Sequence, residues 1–326
     1  MLVTGAGSLW SNSSTLAFFA GNSPGGGNTL TLADGGSVAA ASLSLATTHV
    51  PGTLNIGSLG GNDTAGVLSI GSSTIAITGN AAAAPGTFNF NQSDSFTLSN
   101  AISSGYALIN QFGSGTTILS ANNNNSGIPT VTNGTLLAEN LSGSAVGTST
   151  VVVTNAGTLG GNGKIGGATT IASGGNLVPG VSGAGVLSFT NTLTLATGST
   201  TTFLINATNS FTSINVIGHT VTYGGALDFN IASYVDIAKA GDVFTVFNLS
   251  GGASETNDFS SVEIGNSSLS DSNGTWSGTY LGGAYQFNKS TGELTVVTAP
   301  EPSTYALFGM GLGVLSLAIV YRRRRV

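Results

Sequence analysis

Residues 113–140 read GSGTTILSANNNNSGIPTVTNGTLLAEN: two short apolar runs, GTTILS from Gly115 and GTLLAEN from Gly134, each opened by a glycine and separated by an asparagine run. Alternation with period 2 marks a half-buried strand, and Gly and Asn are turn residues. The same phrase recurs in both directions along the chain. It stands as TLTLADGGSV at Thr29, GTLNIGSLGG at Gly52, GVLSIGSS at Gly66 and GTFNF at Gly86, then as GTLGGNGKIGG at Gly157 and GVLSFTNTLTLATGS at Gly185. The leading glycines from Gly52 to Gly185 lie 14, 20, 29, 19, 23 and 28 residues apart. Their mean of about 22 falls in the range of one solenoid rung.

A sandwich rarely repeats one strand-turn phrase so often, so the pattern predicts an all-β chain folded as a right-handed parallel β-helix. Alternate Leu, Val, Ile and Phe would fill a narrow core, while Thr, Ser and Asn face water or stack in ladders. Some 10 to 13 coils at ~4.8 Å each would make a rod roughly 50 to 60 Å long. From Thr200 the strands lengthen (TTTFLINAT, ALDFNI, GDVFTVFNL, TYLGGAYQF, GELTVV), which predicts a β-rich cap over the open solenoid edge; a small β-sandwich is the alternative. The expected divisions are 1–112, an N-terminal repeat segment; 113–199, the clearest β-helix repeats; 200–298, the cap; and 299–326, a separate tail.

Composition agrees with strands and turns. Gly 50, Ser 42, Thr 42 and Asn 29 make up half of the 326 residues, and charged residues are only 6%. A 40% hydrophobic fraction with so little charge disfavours disorder, and Gly and Asn disfavour helix. Four of the seven basic residues are Arg322–Arg325, so the body has only Lys164, Lys239 and Lys289. Three scattered lysines cannot neutralise a phosphate backbone, and nucleic-acid binding is set aside. Without cysteine there is no disulfide scaffold and no thiolate site.

The tail reads APEPSTYALFGMGLGVLSLAIVYRRRRV from Ala299, with 17 uncharged residues from Tyr305 to Tyr321. Aromatic ends and flanking arginines predict a single transmembrane helix, with the arginines inside and the body on the extracytoplasmic side. A buried core helix is the alternative. Pro300-Glu301-Pro302, an apolar span and an Arg cluster together resemble the PEP-CTERM sorting signal of Gram-negative bacteria. The resemblance implies export, a transient inner-membrane anchor, and recognition near Pro300, Glu301, Pro302, Ser303 and Thr304 by an exosortase, with Arg322, Arg323, Arg324 and Arg325 as the stop-transfer end. The start, MLVTGAGSLWSNSSTLAFF, has no basic leader or continuous apolar run, so an N-terminally truncated sequence is expected.

The stretches 113–140 and 157–189 resemble the autotransporter-associated β-strand repeat and the passenger segments that follow it. Asn122–Asn125 depart from that pattern, and a bulge or loop is expected there. The first segment resembles another surface repeat, with Trp10 expected in the core. These families imply a fold and a location rather than a reaction.

Candidate chemistry is sparse. Gly161-Asn162-Gly163-Lys164-Ile165-Gly166 spells GxGxxG without a helix to follow it, and Gly21-Asn22-Ser23-Pro24-Gly25 spells GxSxG without a triad. His49 and His219, the only histidines, suggest no zinc site, and Gly60-Gly61-Asn62-Asp63 reads as a turn. Asp228, Asp236 and Asp242 are the nearest approach to a carboxylate cluster, most simply solvated turn residues. No cofactor is expected. The sequence therefore predicts a non-enzymatic, adhesin-like surface or matrix rod, with extracellular polysaccharide or neighbouring surface proteins as partners. The alternatives are a polysaccharide lyase or glycoside hydrolase on the same scaffold, which would need paired acids along one face, and a glycan-binding module, which would show a row of exposed aromatics for which a 7% aromatic content gives little material.

Overall fold

The computed structural model describes residues 1–17, 27–47, 49–78, 82–103, 105–234 and 238–298, and these contain strands and turns but no helix. The glycine-led phrases become walls of a solenoid. One wall is an 11-stranded sheet, every neighbouring pair parallel: Leu2–Thr4, Asn28–Ala33, Gly52–Ile56, Gly86–Phe90, Ala107–Gln111, Thr130–Val131, Val151–Val153, Thr169–Ile171, Leu193–Leu195, Thr220–Tyr223 and Ser254–Asn257. Ten gaps of ~4.8 Å make this first wall about 48 Å long. The register offset between neighbours runs from 18 residues (Val151 to Thr169) to 34 (Gly52 to Gly86).

After each of the later first-wall strands the chain turns into a second parallel wall: Ser95–Leu98, Thr116–Leu119, Thr135–Ala138, Thr158–Gly161, Asn176–Pro179, Thr200–Ala207, Ala226–Asn230 and Ser261–Ile264. A third wall closes the coil, with Lys164–Ile165, Gly185–Phe189, Ser210–Ile217 and Phe247–Ser250 in parallel register. In the first coils a separate sheet, built on Leu9–Ala17 and Ser37–Ala46, takes the return path. The parallel register passes through Thr200 without interruption, since Asn176 pairs with Thr200 and Thr200 with Ala226.

The corners explain the glycines. At Gly115, which leads into the second wall, a Cβ would lie 2.1 Å from the carbonyl oxygen of Asp94 on the coil before. Gly134 occupies the same corner one coil later at φ +57°, facing the carbonyls of Gly113 and Gly115 at 2.3 and 2.4 Å. Inside, the side chains of one coil rest on the next: Leu54 on Phe88, Leu136 on Leu159, Leu187 on Ile214, all fully buried. Each such burial is worth ~1.5–3 kcal/mol. Trp10 departs from the sequence expectation. It is half-buried, packed against the core from the strand Leu9–Ala17 at the edge of its sheet.

The asparagine run forms no strand, yet its exposure alternates, with Asn123 and Asn125 buried and Asn122 and Asn124 outside. Asn123 takes the place of a peptide group in the third wall. Its Oδ1 accepts from Ile102 N on one side at 2.7 Å, and its Nδ2 donates to the Ala145 carbonyl on the other. Asn125 Nδ2 donates to the Ala107 carbonyl at 3.0 Å. These amides join the coils alongside isolated backbone bonds, Asn123 N to the Ser144 carbonyl at 2.7 Å and Thr148 N to the Asn125 carbonyl at 3.2 Å.

Strands past Ile264 pair antiparallel, as the hairpin Ile205–Phe211 already does within the coils. A five-stranded sheet of Val243–Thr245, Glu293–Thr298, Gly283–Asn288, Thr275–Tyr280 and Ser270–Ser272 follows. Phe287 reaches from this sheet into Phe229, Phe247 and Phe259 of the last coils, with ring centroids 5.4 to 6.5 Å apart. Asp258 holds the junction: it accepts from Trp276 Nε1 at 3.1 Å and Phe259 N at 2.8 Å, and pairs with Lys289 at 3.0 Å.

Candidate functional site

The two long walls present outward side chains in register, and these are the most regular chemical surfaces among the described residues. On the first wall one column runs Leu2, Thr31, Asn55, Asn89, Asn110, Thr130, Val152, Thr170, Thr194, Thr222 and Thr256. Near the start of this column the side chains bond to one another along the solenoid. Asn55 Nδ2 donates to Thr31 Oγ1 at 3.1 Å, Asn89 Nδ2 to Asn55 Oδ1 at 2.9 Å, and Asn110 Nδ2 to Asn89 Oδ1 at 2.9 Å. At the other end Thr256 bonds Thr222 at 3.3 Å and Thr220 bonds Ser254 at 3.1 Å. The only charged residue in the strands of this wall is Glu255, whose carboxylate accepts from Ser290.

The second wall carries Ser95, Thr116, Thr135, Thr158, Asn176 and Thr200 in one outward column. Beside it lies a shallow groove of about 340 Å³ lined by Thr135, Leu137, Thr158, Val178, Val181 and Ser182. Further along the same wall Asp228 stands opposite Glu263. Partial burial and, secondarily, the Glu263 charge hold the Asp228 carboxyl above the usual carboxylate range.

The acids singled out from sequence are not brought together. Asp242 sits in a turn, where it accepts from the Tyr234 hydroxyl and from Lys239 N, while Asp228 lies on the second wall; Asp236 is outside the described residues. Burial and the bond to Asp242 push the Tyr234 phenol up. His49 and His219 are both exposed, each just ahead of a first-wall strand, with seven rungs, about 34 Å, between those strands. No group of three His, Cys, Asp or Glu able to hold a metal occurs among the described residues. Gly161–Gly166 is the corner between Thr158–Gly161 and Lys164–Ile165, where a Cβ on Gly161 would meet the Ala138 carbonyl at 2.1 Å. The GxSxG at 21–25 lies outside the described residues.

The C-terminal stretch supplies the address. Residues 298–325 match the PEP-CTERM protein-sorting motif. The chain carries a PEP-CTERM sorting tail. Such a tail marks an exported protein and makes exosortase its processing partner. Pro300, Glu301, Pro302, Ser303, Thr304, Arg322, Arg323, Arg324 and Arg325 all fall within the matched stretch and outside the described residues, as does the apolar run Tyr305–Tyr321 expected to span the membrane. Among the described residues no helix is long and apolar enough to cross a membrane. The PEP-CTERM chain is also 41% identical over 116 residues to the adhesin BmaC autotransporter of Brucella suis biovar 1 (strain 1330). That match covers 36% of this chain and 3% of the adhesin, so the chain spans a small part of its relative.

The asparagine ladder was not singled out from sequence. Its trace is there in TLN at 53–55, TFN at 87–89 and LIN at 108–110, each ending two positions past an outward residue.

Proposed function

We propose that this is a non-enzymatic surface or extracellular-matrix protein, an adhesin-like rod delivered by its sorting tail. The match of residues 298–325 to the sorting motif carries the reading. In this proposal Tyr305–Tyr321 is a transient inner-membrane helix, Arg322–Arg325 hold its cytoplasmic end, and exosortase cuts near Pro300-Glu301-Pro302 to release the body outward. The coils wind right-handed, the sense that parallel crossovers adopt. A regular solenoid with neutral Thr/Asn faces supports a geometric role: a stiff spacer presenting polar ladders to extracellular polysaccharide or neighbouring surface proteins, as in a biofilm matrix. The adhesin relative supports the same reading.

The test is an intact mass and C-terminal peptide map of the protein recovered from envelope and medium. The expected surface form ends near Pro300–Pro302. A full tail through Arg325 persisting in the inner membrane would overturn the proposal.

A further inference from the structure

Around the middle of the ladder the first wall offers more than self-bonded side chains. Thr87 and Asn89 face outward on one coil, Leu108 and Asn110 on the next, and Thr130 on the one after, all half-buried. Phe112 follows on the outward side of the same alternation and is 43% exposed; the other described aromatics are buried or half-buried. An open aromatic ring therefore stands beside the amide ladder, two residues along the chain from Asn110 and just past the end of its strand.

The hydrogen-bond capacity of this patch is only partly used. Asn89 spends one amide hydrogen on Asn55 and accepts one from Asn110, so one N–H and one lone pair remain. Asn110 Oδ1 and the hydroxyls of Thr87 and Thr130 have no protein partner. The ladder bonds also fix the amide planes, which lowers the entropy lost on binding.

The outward column is uncharged, while the body up to Thr298 holds 12 acidic and 3 basic residues. An anionic polymer would be repelled by the body, and a cationic partner would find no counter-charge on this face. Fixed donors and acceptors, an aliphatic side chain and one exposed ring suit a chain that is itself neutral, rich in hydroxyls and apolar on its ring faces. The rung spacing of ~4.8 Å is close to the length of one hexose in an extended polymer.

We infer that Thr87, Asn89, Leu108, Asn110, Phe112 and Thr130 form a binding site for an extended, uncharged hexose polysaccharide lying along the solenoid. The inference rests on the surface role proposed above and names its ligand class. The polymer crosses successive coils, its hydroxyls meeting Asn89, Asn110 and Thr130, with the Phe112 ring against its flank.

Affinity electrophoresis of the full chain in non-ionic detergent tests this, with glucomannan in one native gel and alginate in another. Glucomannan should retard the protein and alginate should not. Phe112→Ala and Thr87→Glu should each weaken the glucomannan affinity about tenfold, as expected for a lost contact of ~1.4 kcal/mol. Leu281→Ala, which removes a 64% exposed side chain far along the sequence, should have no effect. No retardation by glucomannan, equal retardation by alginate, or wild-type affinity in Phe112→Ala would overturn the site. A chain that is exported and trimmed near Pro302, yet not retarded by glucomannan, overturns this inference while leaving the sorting proposal intact.

Discussion

Asn89 donates its amide hydrogen to Asn55 Oδ1 at 2.9 Å from the adjacent coil, 34 residues away in sequence. The pair is possible because parallel strands in exact register place like residues one above the other, and each amide offers both a donor and an acceptor. A ladder of this kind ties successive coils together on the outside, much as Leu54 and Phe88 tie them within.

Asn89→Ala removes two ladder bonds, to Asn55 and from Asn110. At ~0.5–1.5 kcal/mol each, the expected destabilisation is about 1–3 kcal/mol, read from the urea unfolding midpoint. Asn89→Asp should be worse, because a carboxylate cannot donate to Asn55 Oδ1 and would be repelled by it.

Asn123 should matter more. Its amide is buried and serves Ile102 N and the Ala145 carbonyl at once, so Asn123→Leu leaves two backbone groups without partners. Each orphaned group costs ~1–3 kcal/mol. Hydrogen exchange at the Ile102 amide is expected to accelerate strongly in Asn123→Leu, whereas Asn123→Asp keeps an acceptor for Ile102 N but sets a buried carboxyl oxygen against the Ala145 carbonyl.

At the terminal sheet, Asp258 and Lys289 form an ion pair, yet removing one should not equal removing the other. The pair is partly exposed, so Lys289→Met should cost less than about 1 kcal/mol. Asp258→Ala also deprives Trp276 Nε1 and Phe259 N of their acceptor, and should cost about 2–3 kcal/mol in a denaturant melt.

The parallel solenoid was legible because GTLNI, GTFNF and GTLLAEN repeat one phrase of alternating burial. What the phrase hides is which wall it builds. Gly52 and Gly86 lead first-wall strands, Gly115, Gly134 and Gly157 lead second-wall strands, and Gly185 opens a third-wall strand. Their spacing therefore mixes walls, and the true offsets, 18 to 34 residues, vary because corner loops differ in length. The loop expected at Asn122–Asn125 has no strand, but side-chain amides acting for the backbone are invisible to a search for alternating apolar residues. The outward ladder was foreseen as a type of surface and not as named residues, since pairing depends on register across 21 to 34 positions. The sorting tail was the most legible part, being a contiguous motif that needs no tertiary contact to be read.

Asp228 gives the pH dependence. Burial first, and Glu263 opposite it second, raise its pKa in the folded state above the unfolded value. The folded form then binds a proton more readily than the unfolded one, so ionising Asp228 penalises folding at neutral pH, and the penalty disappears as pH falls through the folded and then the unfolded pKa. Asp228→Asn should therefore raise the melting temperature at pH 7 and lose that advantage at acidic pH. Differential scanning calorimetry of both proteins across this range checks the sign. A stabilisation that grew on acidification would mean that Asp228 is held ionised by a favourable partner, and that the two carboxylates do not oppose each other across the coils.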